Sequence, residues 1–182
     1  MGVGGCLPAF PRVETHATPA FDALAFFEGR TEGLGTLAIR TQAPVVVRVE
    51  SVGTRRPDGG LTLHQRVRRG GDPPTERTWE LQRDGPGRYS GTLTDADGPV
   101  EAWAEGNRLH IRYPMGGGLA MRQDLTLEPG GDLALNLSSV RFLGFPVARL
   151  TEQIRRVAGE GDGPMVGSLN SVRAPNLRAG RR

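Results

Sequence analysis

From Arg30 to about Phe142 the side chains alternate between apolar and polar with a period of two, which constrains the fold more than any motif in the chain. Val45, Val47 and Val49 alternate with Val46, Arg48 and Glu50, and Leu61, Leu63, Gln65 and Val67 with Thr62, His64, Arg66 and Arg68. Trp79 and Leu81 stand against Thr78, Glu80 and Gln82. Tyr89, Gly91 and Leu93 stand against Arg88, Ser90, Thr92 and Thr94. Leu109, Ile111 and Tyr113 oppose Arg108, His110 and Arg112, while Leu119, Met121, Gln123, Leu125 and Leu127 oppose Ala120, Arg122, Asp124, Thr126 and Glu128. The last run sets Leu133, Leu135 and Leu137 against Ala134, Asn136 and Ser138. Each is the signature of a strand with one apolar and one wet face.

The joints carry turn chemistry: Pro57-Asp58-Gly59-Gly60, Gly70-Gly71-Asp72-Pro73-Pro74, Asp84-Gly85-Pro86-Gly87, Asp95-Ala96-Asp97-Gly98, Glu105-Gly106-Asn107 and Pro129-Gly130-Gly131-Asp132. Connections this short exclude the helical crossovers of a parallel sheet, so successive strands pair antiparallel. About eight or nine strands result, counting one near Arg30–Arg40, and closure into a meander barrel removes their edges. The expected fold is therefore all-β and mainly antiparallel, a meander barrel.

The flanks read differently. Residues 1–20, with Pro8, Pro11 and Pro19, form an extended arm or linker. Asp22 can cap a short helix over the following apolar residues, which Gly29 ends, closing one end of the barrel. In Phe145–Val157, Val147, Leu150, Ile154 and Val157 are spaced closer to helix than strand. A closing helix and a last strand both remain open there. The barrel domain thus spans 21–157, and 158–182 reads as a disordered basic tail.

The net charge is only +3, yet the cationic residues are all Arg, with no Lys. They are interspersed with Glu and Asp, as on a mixed solvated surface, so a nucleic-acid partner is disfavoured. No apolar run approaches the length of a membrane span. The single cysteine, Cys6, excludes an internal disulfide.

Strand parity assigns the apolar sets to one interior, where the polar functions are Gln65, Gln123, the hydroxyls of Tyr89 and Tyr113 and the indole of Trp79. On this reading no carboxylate, His or Arg faces inward. Gln65, Trp79, Tyr89, Leu109, Ile111, Tyr113, Met121 and Gln123 are the candidate ligand-binding residues. Small barrels either fill with side chains or hold one small ligand, and both readings stand. His16, His64 and His110 lack metal-ligand spacing, and outward parity disfavours a haem ligand, so no metal or cofactor is expected. Ser138, Ser139 and Ser168 lack a nucleophile elbow, and Gly116-Gly117-Gly118 joins two strands instead of opening a helix. No catalytic residue is assigned, and the expectation is a non-enzymatic protein. An enzyme acting on lipid or isoprenoid substrates would need Tyr89, Tyr113 and Gln123 to converge.

Val3-Gly4-Gly5-Cys6 resembles the end of a bacterial lipobox, in which the Cys is lipidated, but no basic and apolar leader precedes it. A start codon assigned too far downstream would account for this. The expected location is the cell envelope if such a leader exists, and the cytoplasm otherwise.

Phe21-Asp22, Phe26-Phe27-Glu28-Gly29, Arg77-Thr78-Trp79, Gly87-Arg88-Tyr89-Ser90-Gly91, Asp95, Gly98, Gly106-Asn107 and Tyr113, in this order and spacing, resemble an uncharacterised bacterial family, domain of unknown function 3833. The resemblance runs from about Phe21 to Arg156. It implies a lipocalin-like barrel and a cell-envelope context, since many members look like lipoproteins, but no activity and no catalytic residues. The chain departs from the family at Arg122-Gln123-Asp124-Leu125, where the family carries a more acidic, aromatic stretch, and in the missing leader. The expected function is binding or shielding of a hydrophobic, lipid-like small molecule. The alternative is an accessory domain with a filled core that meets a protein or an anionic membrane through its Arg-rich surface.

Overall fold

The computed structural model describes residues 6–157. Asp22 caps α1 (Ala23–Phe27), its side chain accepting from the backbone N–H groups of Leu24 and Ala25. Ten strands follow: β1 (Gly29–Ile39), β2 (Val45–Arg55), β3 (Leu61–Arg69), β4 (Thr75–Arg83), β5 (Arg88–Leu93), β6 (Val100–Glu105), β7 (Arg108–Gly116), β8 (Leu119–Leu127), β9 (Leu133–Phe142) and β10 (Phe145–Val157). Each pairs antiparallel with the next, and β1 returns to β10 from Arg30↔Val157 to Ile39↔Ala148, closing the barrel. Closure leaves no ladder edge exposed.

The strand count exceeds the expected eight or nine because Val100–Glu105, outside the alternating runs, is a strand, and Phe145–Val157 is a strand and not a helix. Its inward residues are Ala148, Leu150, Glu152 and Ile154, set opposite Ile39, Leu37, Gly35 and Gly33. Helix-like spacing arose because a carboxylate occupies one apolar position. The reading of 158–182 as a tail lies outside the described residues.

The sidedness of β9 is also corrected. Pairing of Leu127, Leu125, Gln123 and Met121 with Ala134, Asn136, Ser138 and Val140 turns this second set inward. Leu133, Leu135 and Leu137 therefore face outward. The arm covers part of that outer face: Arg12, Val13 and His16 share a groove with Leu135, and Leu137 is buried. Hydrophobic alternation ceases to mark inside from outside on a strand covered on both faces.

The two ends of the barrel differ. One is packed by Phe21, Leu24, Phe26 and Phe27 against Leu61, Leu81, Tyr89, Val100, Leu109 and Leu125. Gly53 admits the end of α1 there; a Cβ would stand 1.9 Å from the Phe27 carbonyl oxygen. At the other end a smaller cluster of Val47, Val49 and Val67, flanked by Leu37 and Leu150, lines the wall without filling the lumen. The β9–β10 hairpin at this open end turns through Leu143 (φ 46°) and Gly144 (φ 88°). Both residues are left-handed, as in a type I′ turn, where Asn-Gly is favoured. That conformation costs a leucine about 1–2 kcal/mol.

Candidate functional site

Two connected spaces occupy the open half of the barrel. The outer, about 220 Å³, is walled by Leu37, Val47, Val67, Met121, Val140 and Leu150. The inner, about 40 Å³, reaches down to Phe27, Trp79, Ile111 and Ile154. A single water needs about 10–15 Å³ by this measure, so the outer space has room for a small organic molecule or one segment of a longer one. The barrel is thus filled at the helix end and hollow at the other.

Where the two spaces meet, polar side chains form two networks on different strands. On β2, β3 and β4, Gln65 donates to Ser51 Oγ (3.0 Å), and its carbonyl accepts from Trp79 Nε1 (2.6 Å) and Arg77 Nε (2.8 Å). Arg77 also lies over the Trp79 ring, 5.7 Å from its centroid. On β9 and β10, Ser138 donates to Asn136 Oδ1 (2.9 Å), and Asn136 Nδ2 donates to Glu152 Oε2 (2.9 Å). Glu152 is only 4% exposed, and its Oε1 has no hydrogen-bond partner. Arg77 and Glu152 make no direct ion pair, although both line each of the two spaces.

Burial lifts the Glu152 carboxyl above its ordinary range, against the opposing effects of the Asn136 hydrogen bond and the Arg77 charge. Room for this side chain comes from β1. A Cβ on Gly33 would stand 2.1 Å from Glu152 Oε1, and one on Gly35 would stand 2.8 Å from Glu152 Cβ. Glycine at alternate inward positions is thus the counterpart of a large polar residue on the neighbouring strand.

Of the candidates named from sequence, Gln65, Trp79, Ile111, Met121 and Gln123 line the hollow half. Tyr113 stands behind that lining, edge-on to Trp79 at 5.6 Å and accepting from Gln123 Nε2 at 3.4 Å. Burial raises its phenol above the usual range. Tyr89 and Leu109 are corrected to the packed end. Leu109 is fully buried, and the Tyr89 hydroxyl lies under α1, accepting from the Ala23 N–H at 3.2 Å. Tyr89, Tyr113 and Gln123 therefore do not converge on one cavity.

The expectation of an inner face without charge is overturned by Arg77 and Glu152. Arg77 precedes Trp79 by two residues and shares its parity, a signal lost when the strand is begun at Thr78. Glu152 was hidden by the helical alternative, and Asn136 and Ser138 by the inverted parity of β9. The histidines keep their outward places: His110 stacks on Trp103 at 5.0 Å and bonds Asp124, while His64 bonds Thr78. Among the described residues no group of three or more His, Cys, Asp or Glu is placed to hold a metal ion.

The architecture has solved counterparts. An S-type phycobiliprotein lyase, CPES, from Guillardia theta superposes with a TM-score of 0.60 at 10% identity, covering 75% of this chain and 92% of the lyase. A DUF3598-family protein of unknown function from Nostoc punctiforme gives 0.58 at 14% identity, covering 76% of this chain; the chain spans 50% of that protein. At such identities the likeness is one of fold. No curated protein matches the sequence. Residues 1–156 match the DUF3833 family model, a protein of unknown function, a span that takes in the arm, the helix and nearly the whole barrel. The chain belongs to the DUF3833 family and folds as a lipocalin-like closed barrel.

Proposed function

We propose that this protein is a non-enzymatic carrier or shield for a lipid-like small molecule at the bacterial cell envelope, held in the open half of the barrel. The observation that carries the reading is the hollow itself: an apolar-walled space of about 220 Å³ above two polar networks, one of which leaves Glu152 Oε1 without a hydrogen-bond partner. Ligand sites of small barrels combine apolar surface with a few polar groups that fix orientation. Here the ligand's apolar body lies against Val47, Val67, Met121 and Val140. Its head accepts from the Arg77 guanidinium and shares a hydrogen bond with Glu152 Oε1. The likeness to a phycobiliprotein lyase supports the choice of a barrel that handles a small molecule, without specifying which one. Cys6, exposed on the arm, is the proposed lipid-attachment point, and envelope localisation rests on the lipobox resemblance around it.

Trp79 lines the inner space and Trp103 lies on the outer face, so a Trp103→Phe variant makes tryptophan emission a reporter of the cavity. Titration with the neutral apolar dye N-phenyl-1-naphthylamine should quench Trp79 in a saturable way. Native mass spectra of protein purified from bacteria should show an adduct that organic extraction removes. Met121→Trp, which fills the wall, should abolish both signals while leaving the fold intact by circular dichroism. Unsaturable quenching together with an adduct-free spectrum would sink the proposal and favour the accessory-domain reading.

A further inference from the structure

The geometry points to the open end of the barrel as a membrane-docking face, which sets the cavity mouth against an anionic lipid bilayer through the β9–β10 hairpin. Four observations meet there. The hairpin tip presents Phe142, Leu143 and Phe145 at 45%, 72% and 74% exposure, three of the six exposed large apolar side chains among the described residues, including the two most exposed of them. Phe142 and Phe145 are register partners on the inner-face parity of Val140, at the rim of the mouth where Phe142 also pairs with Leu119.

The tip is also held in a form that stability alone would not choose. Leu143 occupies a left-handed position where Asn or Gly is at ease, and the strain buys an exposed leucine at the extremity of the molecule. Gly118 on the neighbouring hairpin supports it, with a Cβ there falling 3.3 Å from the Phe142 ring.

Charge on the strands beside the tip has one sign. Residues 33–49 and 133–151 contain no Asp or Glu, and the acidic residues of this end, Asp72, Asp95 and Asp97, sit on the β3–β4 and β5–β6 turns. Arg40, Arg141 and Arg149 flank the tip, with Arg141 Nε donating to the Gly144 carbonyl at 2.9 Å and the Arg40 N–H donating to Val147 O at 3.1 Å. An apolar point flanked by arginines matches a bilayer whose headgroups are negative and whose interior is hydrocarbon.

Finally, the arm begins at this end. Arg149 holds the Pro8 carbonyl and lies over the Phe10 ring at 5.0 Å, whereas His16 is bound at the helix end. Cys6, two residues before Pro8, is therefore within about 7 Å of it along the chain, on the mouth side. A lipid attached there and the hairpin tip would engage one surface together. The docking does not depend on what the cavity carries: a barrel that purifies empty should still bind vesicles.

The test is co-sedimentation of the unlipidated full-length chain with phosphatidylglycerol–phosphatidylcholine vesicles and with pure phosphatidylcholine vesicles, over a salt series. Binding to the anionic vesicles should fall as salt rises. Leu143→Asn with Phe145→Ser should weaken it by roughly tenfold or more, the effect of removing two large apolar side chains from the interface. Leu143→Asn alone should weaken binding while raising Tm by roughly 2–4 °C, because the left-handed strain is relieved. A loss of binding in a more stable protein cannot be ascribed to misfolding. Equal binding by the double variant, or no binding of the parent chain to anionic vesicles, would overturn the inference. So would tip-dependent self-association in sedimentation equilibrium without vesicle binding.

Discussion

Asn107 is the joint between the arm and the barrel, and its removal should be felt in two measurements at once. The residue is 2% exposed in the β6–β7 turn. Its Oδ1 accepts from the His16 N–H at 2.8 Å, and its Nδ2 donates to the Leu127 carbonyl at 3.0 Å. Its own N–H donates to His16 O at 2.8 Å, and its carbonyl accepts from the Leu127 N–H at 2.7 Å. Asn107→Ala deletes the two side-chain bonds, at about 0.5–1.5 kcal/mol each, and leaves a donor and an acceptor without partners in a dry site. A total of about 2–4 kcal/mol follows, because the arm can partly lift and rehydrate His16. For a chain of this size that is a Tm lower by about 5–15 °C. The lifted arm should also expose Arg12, which shares a groove with Val13, His16 and Leu135. Calorimetry gives the first quantity, and brief trypsin digestion with mass analysis of cleavage after Arg12 gives the second. A Tm within about 2 °C of the parent, with cleavage at Arg12 unaccelerated, would refute the assignment of Asn107 as the clamp.

Other perturbations separate the two ends of the barrel. The raised Glu152 carboxyl means that the folded protein holds this proton more tightly than the unfolded chain does. Its stability contribution is complete below the ordinary carboxyl value of 4.5 and is lost as pH rises through the folded value. Glu152→Gln should therefore gain Tm relative to the parent between about pH 4 and pH 8, and a pH-independent difference would contradict this. Asp22 has the opposite sign. Burial raises its carboxyl, but the Ala25 and Leu24 N–H groups and Arg83 outweigh that and hold it below 3.8. Its contribution is present above 3.8 and lost as pH falls through the lower folded value. Asp22→Ala should cost about 1–2 kcal/mol at neutral pH in denaturant titrations, and less in acid. Gly33→Ala drives a methyl into Glu152 Oε1 and should cost about 1–3 kcal/mol by overpacking. Combined with Glu152→Ala the cost should be markedly less than additive, and strict additivity would show that the two side chains do not meet.

The barrel was legible because most strands have one face in water and one in the core, so parity and side coincide. Leu61, Leu63, Gln65 and Val67 on β3 and Leu109, Ile111 and Tyr113 on β7 point inward as their alternation says. The same reasoning fails on β9, where the arm shelters Leu135 and register with β8 decides the side. It fails on β10, where Glu152 interrupts the apolar series and leaves Val147, Leu150, Ile154 and Val157 looking helical. Arg77 was recoverable from parity with Trp79 alone. Glu152 was recoverable only by pairing it with the gap it fills, the glycines at positions 33 and 35.

These failures share a cause. A pattern rule assumes that an inward position is apolar, and each residue that broke it is a polar side chain held by a hydrogen-bonding neighbour: Arg77 by Gln65 and Glu152 by Asn136 and two glycines across strands, Asn136 by Ser138 along its own strand. Such arrangements cost stability, as the orphaned Oε1 of Glu152 does, and persist where something other than folding requires them. The strained Leu143 obeys the same logic on the outside of the mouth. Local rules hold through the packed end, where α1, Tyr89 and Leu109 satisfy one another, and break along a line from Glu152 up through the hollow to the hairpin tip. That line runs from the cavity floor to the surface proposed to meet the membrane, and it is where a ligand would enter and leave.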